Sequence, residues 1–385
     1  MCKLPLKNDD ININQDDILF SNGVEYKVRR EIGSGTFGRV FECCVNNKKF
    51  AVKVIKSDKG YLEHGFVEYQ ILKSISEKHK SFFVNVYDIF MYNNHLCIVQ
   101  ELLIKNLYEL IRDNNFVGIN YMHVQHITKQ VLCGLYRLST MGIIHCDLKP
   151  ENIMISDFYS MKIKIIDFSS ATTKQICTNF YAQSRYYRAP EVILGIPYNS
   201  SVDLWSLACI VYEMFIGSPL FPGKNNQDQL FRICSLLGNV PNTLKEVSHN
   251  HWNIYVSEER VYNTKQNFYN KINIKSMDSN EARIIIDFIL YLLNINHIER
   301  PSVYEAKCHE FIRYIIPLRE DIEERIITCD GRNHCAPSPS NKIERRNSIT
   351  DTNVFESITK PLKNIRKTSV FEYNLNENRN NKDKK

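Results

Sequence analysis

Three glycines fall within six positions, Gly33-x-Gly35-x-x-Gly38, although the whole chain holds only 14. Without a Cβ there, backbone N–H groups can come close to phosphate oxygens. A dinucleotide-binding turn has a similar spacing but runs into a helix. Here the run Val40–Val45 reads as a strand, which excludes that alternative. Fifteen residues after Gly38, Lys53 sits between Val52 and Val54. In so apolar a strand an amine points into a cleft and toward a partner. Glu68 is the obvious partner, because Phe66, Val67 and Ile71 would bury its helix face. Glu68 would fix the rotamer of Lys53, and Lys53 would touch the α- and β-phosphates of a nucleotide.

A second cluster is His145-Cys146-Asp147-Leu148-Lys149-Pro150-Glu151-Asn152, set between Ile143-Ile144 and Ile153-Met154-Ile155. Fifteen residues past Asn152 comes Asp167, after the strand-like Ile163–Ile166. Asn152 and Asp167, closing on one cleft, would offer hard oxygens to Mg²⁺. Asp147 would accept the proton of an attacking hydroxyl, and Lys149 would stabilise charge on the transferred group. Each piece alone could be an ordinary turn. Together and in this order they fit phosphoryl transfer, which needs mainly positioning and electrostatics.

These residues need two kinds of support. From Tyr26 to Glu101 the chain shows five short β-branched and aromatic runs: Tyr26–Ile32, Arg39–Val45, Phe50–Ile55, Val84–Met91 and Leu96–Gln100. One helical stretch, Phe66–Ser76, is inserted among them. From Leu107 to Tyr314 helical periodicity dominates, as in Val124–Met141, Leu204–Ile216, Asp228–Leu237 and Glu281–Leu293. The expected fold is α+β and bilobed: a small five-stranded β lobe with one helix (26–101), then a larger, mainly helical lobe (104–314). A cleft between the lobes would hold the ligand. Residues 1–25 read as a polar, loosely ordered leader, and 329–385 as a disordered basic tail.

At 43% hydrophobic and 24% charged, the chain has the composition of a soluble globular protein. Its longest apolar runs, Ile284–Ile295 and Leu204–Ile216, are interrupted by Asp287 and Glu213, and read as buried helices and not membrane spans. The start of the chain lacks the apolar stretch of a secretory signal, so the 12 cysteines are expected as reduced, mostly buried thiols in a cytoplasmic or nuclear protein. The net charge of +6 divides unevenly: residues 330–385 carry twelve Lys+Arg against seven Asp+Glu, or +5, which leaves +1 for the body. A nucleic-acid reader needs its basic footprint on a folded face, so that function is excluded.

With these motifs in place, the chain resembles the protein kinases from about Tyr26 to Ile312. HCDLKPEN (His145 to Asn152), QSRYYRAPEVILG (Gln183 to Gly195) and VDLWSLACIVYEM (Val202 to Met214) resemble the dual-specificity, tyrosine-phosphorylation-regulated kinases of the CMGC group. NQDDI (Asn14 to Ile18) and GIPYNSSVDLWS (Gly195 to Ser206) are most similar to the Yak-like branch, with the homeodomain-interacting kinases close behind. The resemblance implies a monomeric serine/threonine kinase that uses ATP and Mg²⁺. Its partners would be protein substrates, favouring Ser/Thr before Pro with an upstream Arg that Glu151 could meet, and neither nucleic acid nor membrane. ATP would be lined by Ile32, Gly33, Ser34, Gly35, Thr36, Phe37, Gly38, Arg39, Val40, Ala51, Lys53 and Met154. Glu101 to Leu103 would form the hinge that bonds adenine, with Gln100 as gatekeeper behind it. Glu191 would pair with Arg300, and Asp203 would brace the catalytic loop. Tyr181 is the implied autophosphorylation site, with Arg185 and Arg188 to receive the phosphate.

Two departures stand out. Ser169 replaces the glycine of Asp-Phe-Gly, and a left-handed conformation there would cost about 1–2 kcal/mol and restrict reorientation of the segment. Gln100 replaces an apolar gatekeeper and requires a hydrogen-bond partner when buried. Ser169 is the one support for the alternative of a catalytically weak or dead scaffold, since Lys53, Asp147 and Asp167 are all present.

Overall fold

The computed structural model describes residues 12–173, 182–250, 252, 254–276 and 278–313. The N-terminal lobe is a six-stranded antiparallel sheet. Its strands are β1 (Ile18–Ser21), β2 (Val24–Ser34), β3 (Gly38–Val45), β4 (Lys48–Ile55), β5 (Val86–Tyr92) and β6 (His95–Glu101), in spatial order β1-β2-β3-β4-β6-β5. Three joints between them are two-residue hairpins at Asn22-Gly23, Asn46-Asn47 and Asn93-Asn94, with both residues left-handed in each. That is the turn whose twist matches the strands it joins, and Asn and Gly tolerate it best.

The sixth strand corrects the expectation of five, and it places residues 18–21, within the stretch read as a loose leader, in the sheet. Asn22-Gly23 folds Ile18–Ser21 back onto β2, and Leu19 is fully buried. The Ser21 hydroxyl donates to Asp88 at 3.0 Å, and Tyr26 stacks on Phe90 at 5.6 Å, which ties the hairpin across to β5.

Strand alternation divides the sheet. Val52, Val54, Cys97 and Val99 pack on one face with Leu19, Val28, Phe41 and Cys43. Ile55, Leu96 and Ile98 leave the other face toward helix α1 (Lys59–Lys78). This helix starts earlier than Phe66 because the Asp58 side chain caps it, accepting from Gly60 N at 2.8 Å. It lies close against the sheet: a Cβ on Gly65 would come within 2.3 Å of Ile55 Cδ1.

The second lobe opens with β7 (Lys105–Asn106), α2 (Leu107–Asp113) and α3 (Tyr121–Thr140). The hairpin β8 (Ile153–Asp157) and β9 (Lys162–Ile165) follows, and β7, β8 and β9 form a small sheet. After it come α4 (Pro190–Leu194), α5 (Ser201–Ile216), α6 (Asn226–Leu237), α7 (Asn242–Glu246), α8 (Glu258–Lys275), α9 (Ser279–Leu292), α10 (Val303–Lys307) and α11 (Glu310–Arg313). In α5 every residue from Ser201 to Phe215 is buried, so it is a central helix with no polar face. Among the described residues no helix is long and apolar enough to cross a membrane. Their cysteines are unbridged thiols, six of the eight buried.

Leu19→Ala is expected to lower unfolding free energy by about 2–4 kcal/mol, as for other buried leucines. Urea denaturation checks this; an unchanged midpoint would show that β1 is not part of the folded unit.

Candidate active site

The pairing Val40↔Lys53 and Lys53↔Ile98 sets Val40, Lys53 and Ile98 on one face of the sheet, and Ala51↔Gln100 extends that face by one pleat. Above it, β2 and β3 are joined by the glycine loop. Gly38 must be glycine for packing, because a Cβ would lie 2.1 Å from the carbonyl oxygen of Val54. Around Gly35 the space is open, and its N–H bonds back to Gly38 O at 2.9 Å. Ser34, Gly35 and Thr36 form an exposed tip, while Phe37 turns onto α1 against Tyr61 at 5.9 Å. Ile32 is partly exposed, Ala51 is buried, and Met154 is half-buried on β8. The side chain of Arg39 does not join this group. It pairs with Glu31 and lies 5.0 Å over Phe41, a ring of the opposite core.

Lys53 Nζ donates to Glu68 at 2.7 and 2.8 Å and to Asp167 at 2.8 Å. Burial works against its charge, but the Asp167 and Glu68 carboxylates outweigh it and raise its pKa, so the amine stays protonated. Burial also works against the charge of Asp167, yet Lys53 and the Ser169 hydroxyl hold that carboxyl well below its usual range. Glu68 is pushed up by burial, which Lys53 opposes and Asp167 reinforces.

The loop before β8 is held from below. Asp203, near the start of α5, accepts from His145 N at 2.9 Å and Cys146 N at 3.0 Å. Cys146 is left-handed, with φ 62°. His145 reaches Ile166 O at 3.0 Å, which links this loop to the Asp167 segment. Asp147 is then gripped on both oxygens: Oδ2 accepts from Lys149 Nζ at 2.8 Å and Oδ1 from Ser184 N at 2.9 Å. Lys149 also reaches Ser184 Oγ at 3.2 Å, and the neighbouring Asp147 raises its pKa against burial. Ser184 falls within the Gln183–Gly195 motif, but the motif alone gives it no role toward Asp147. Its part depends on the path by which the chain returns to the loop.

Asp167, not Ser169, takes the left-handed conformation, at φ 61°. Ser169 therefore carries no such strain in this conformation. Its hydroxyl instead donates to Asp167 Oδ1 at 2.8 Å, a contact that glycine would lack. Phe168 is buried between His145 at 4.9 Å and Phe83 at 5.8 Å, which keeps Asp167 turned to the cleft. Among the described residues no group of three or more His, Cys, Asp or Glu could hold a metal alone. Asn152 commits its Nδ2 to Asp147 O at 2.8 Å, leaving its amide oxygen for a cation. With Asp167 it makes a two-oxygen donor set suited to a hard divalent ion that shares phosphate and water.

On the acceptor side, Gln183 is left-handed at φ 63°, and Arg188 takes its carbonyl with Nη2 at 2.6 Å and Nε at 3.1 Å. Arg185 is exposed, with Nη1 on Lys224 O at 2.8 Å. Tyr181 lies outside the described residues. Glu191 and Arg300 form the expected pair, bidentate at 2.7 and 3.0 Å and fully buried, with the guanidinium 5.2 Å over the Trp205 ring. Beneath Gln183, Glu213 accepts from the Tyr187 hydroxyl at 2.7 Å. Burial pushes Glu213 up to about 7, from 4.5, with the Tyr187 bond opposing and Glu151 adding. A raised acid stabilises the fold below about pH 4.5 and loses that contribution as pH rises through about 7. Stability of the protein relative to Glu213→Gln should therefore fall by about 2–3 kcal/mol between pH 5 and 8. Urea melts at several pH values check this, and parallel curves would refute it.

The comparisons with known proteins agree with this geometry. The protein kinase domain family matches residues 26–312. The "Probable dual specificity protein kinase YAK1 homolog" of Encephalitozoon cuniculi is 39% identical over 383 residues, 95% of this chain and 94% of the relative. "Dual specificity protein kinase YAK1" of Saccharomyces cerevisiae is 44% identical over 252 residues, 62% of this chain and 31% of that protein. The human "Dual specificity tyrosine-phosphorylation-regulated kinase 4" is 44% identical over 221 residues, 56% of this chain and 42% of the relative. The chain thus spans nearly all of the first relative and less than half of the other two. It belongs to the protein kinase family, in the Yak-like branch of the dual-specificity, tyrosine-phosphorylation-regulated kinases.

Proposed function

We propose that this chain transfers the γ-phosphoryl of Mg·ATP to serine and threonine hydroxyls of proteins and phosphorylates its own Tyr181. As a protein kinase it acts on protein substrates with ATP and a divalent metal. The observation that carries the reading is convergence: Lys53 bonds both Glu68 and Asp167, and the loop that carries Asp147 and Lys149 is tied to the Asp167 segment by His145 on Ile166 O. The relatives named as dual-specificity kinases support the Ser/Thr and Tyr assignment.

Lys53, kept charged and fixed by Glu68, aligns the α- and β-phosphates. Asn152 and Asp167 would hold Mg²⁺, whose charge shields the phosphates when it is bound. Asp147, with both oxygens held, orients the acceptor hydroxyl and takes its proton as that oxygen receives the phosphoryl group. Lys149 stays protonated beside it and offsets negative charge on the transferred group. The scaffold alternative loses its one support, because Ser169 adds a bond to Asp167 without strain.

Substrate choice follows the same surface. A carbonyl already taken by Arg188 is poorly placed to accept the N–H of the residue after the target, and proline has none to donate. This supports a Ser/Thr-Pro preference. Glu151 is exposed in the short turn Pro150–Asn152 that ends the catalytic loop, where an upstream Arg of the substrate could meet it. Phosphate on Tyr181 would bring about −1.5 to −2 charges near Arg185 and Arg188. We take the enzyme as a monomer of the cytoplasm or nucleus, compartments in which free thiols such as those of the described residues stay reduced.

Incubation with γ-labelled ATP, magnesium and a Ser-Pro peptide tests the reading. Asp147→Asn is expected to lower transfer by about 10²–10⁴-fold and to abolish phosphate on Tyr181 in mass spectra; equal labelling would leave only a scaffold. On peptide arrays, Glu151→Ala should weaken selection for upstream Arg, and an unchanged profile would remove Glu151 from substrate reading.

A further inference from the structure

Gln100 has a buried side-chain donor with nothing to bond. Its Nε2 is shielded from solvent and has no hydrogen-bond partner. Such groups are few in folded proteins, and each costs free energy until it is satisfied. Register fixes where the amide points. Gln100 faces Ala51 and lies two residues beyond Ile98, which faces Lys53, so all four leave the sheet on the cleft side. Ile98 is covered by α1, whereas Gln100 stands one pleat further on, beside the segment Glu101–Leu103. The Glu101 carboxylate does not serve the amide, being held by Asn85 N at 3.1 Å, Asn85 Nδ2 at 2.9 Å and Lys164.

Taking the cleft as a nucleotide site, as above, we infer that Gln100 reads the Hoogsteen edge of adenine, with Nε2 donating to N7 and Oε1 accepting from the N6 amino group. A carboxamide and this edge are complementary, which is why Gln and Asn select adenine bidentately elsewhere. Guanine presents O6 where adenine presents N6–H, so Oε1 would face another acceptor. The polar gatekeeper is thus a base-selecting residue that an apolar one could not replace.

Calorimetric titration with ADP and 7-deaza-ADP, which lacks only the N7 acceptor, tests this without turnover. The unmodified protein should bind 7-deaza-ADP about 5- to 50-fold more weakly than ADP, the range expected for stranding a buried donor. In Gln100→Met that ratio should fall to near one, and Gln100→Leu serves as a second apolar replacement if the first melts early. A ratio near one in the unmodified protein, or the same large ratio in the variants, overturns the inference while leaving the nucleotide site standing. Failure to bind ADP at all would overturn both.

Discussion

The ammonium of Lys53, held between Glu68 and Asp167, joins three segments that otherwise have little reason to meet: β4, α1 and the turn after β9. It exists only if α1 lies close to the sheet, and Gly65 permits that approach. The same triad carries one cation for two carboxylates. Lys53 and the Ser169 hydroxyl hold Asp167 low against its burial, while burial pushes Glu68 up. The position of α1 and the charge state of the cleft are therefore one problem with one solution. A shift of the helix would leave Lys53 buried with half its partners, a costly state.

A second constraint is backbone strain. Cys146 and Asp167 both adopt left-handed conformations, at about 1–2 kcal/mol each. Such conformations persist where the surroundings over-determine them. Asp203 supplies two hydrogen bonds at the first, and the buried ring of Phe168 wedges the second. Asp203 is rigid in turn because it belongs to α5, a helix buried on every side and stitched to the acceptor region by Arg300, Glu191 and Trp205. The apolar core of the larger lobe is what makes the polar loop above it stiff.

Much of this was legible in the sequence because the chemistry is carried by residues in short, ordered motifs. Lys53, Glu68, Asp147, Asn152 and Asp167 stand out by type and neighbours, and α5 and α9 by their apolar runs. Other parts were hidden. Asn22-Gly23 is a strong hairpin signal, but the polar residues around it masked the strand it returns. The helix α1 begins before its apolar stripe because a single capping aspartate starts it. Ser169 looked like a source of strain only while its φ was unknown.

The sequence by itself determined which functional groups are available and which local elements carry them, because periodicity, turn residues and motif spacing act over a few neighbours. Only the tertiary structure decided which groups face one another. Arg39 turns to the outer face, Ser184 returns to grip Asp147, and the Gln100 amide is left buried without a partner. Those outcomes depend on strand register, on helix placement and on the path of distant chain. They are set by close packing and by the cost of leaving buried polar atoms unpaired, which no local pattern encodes.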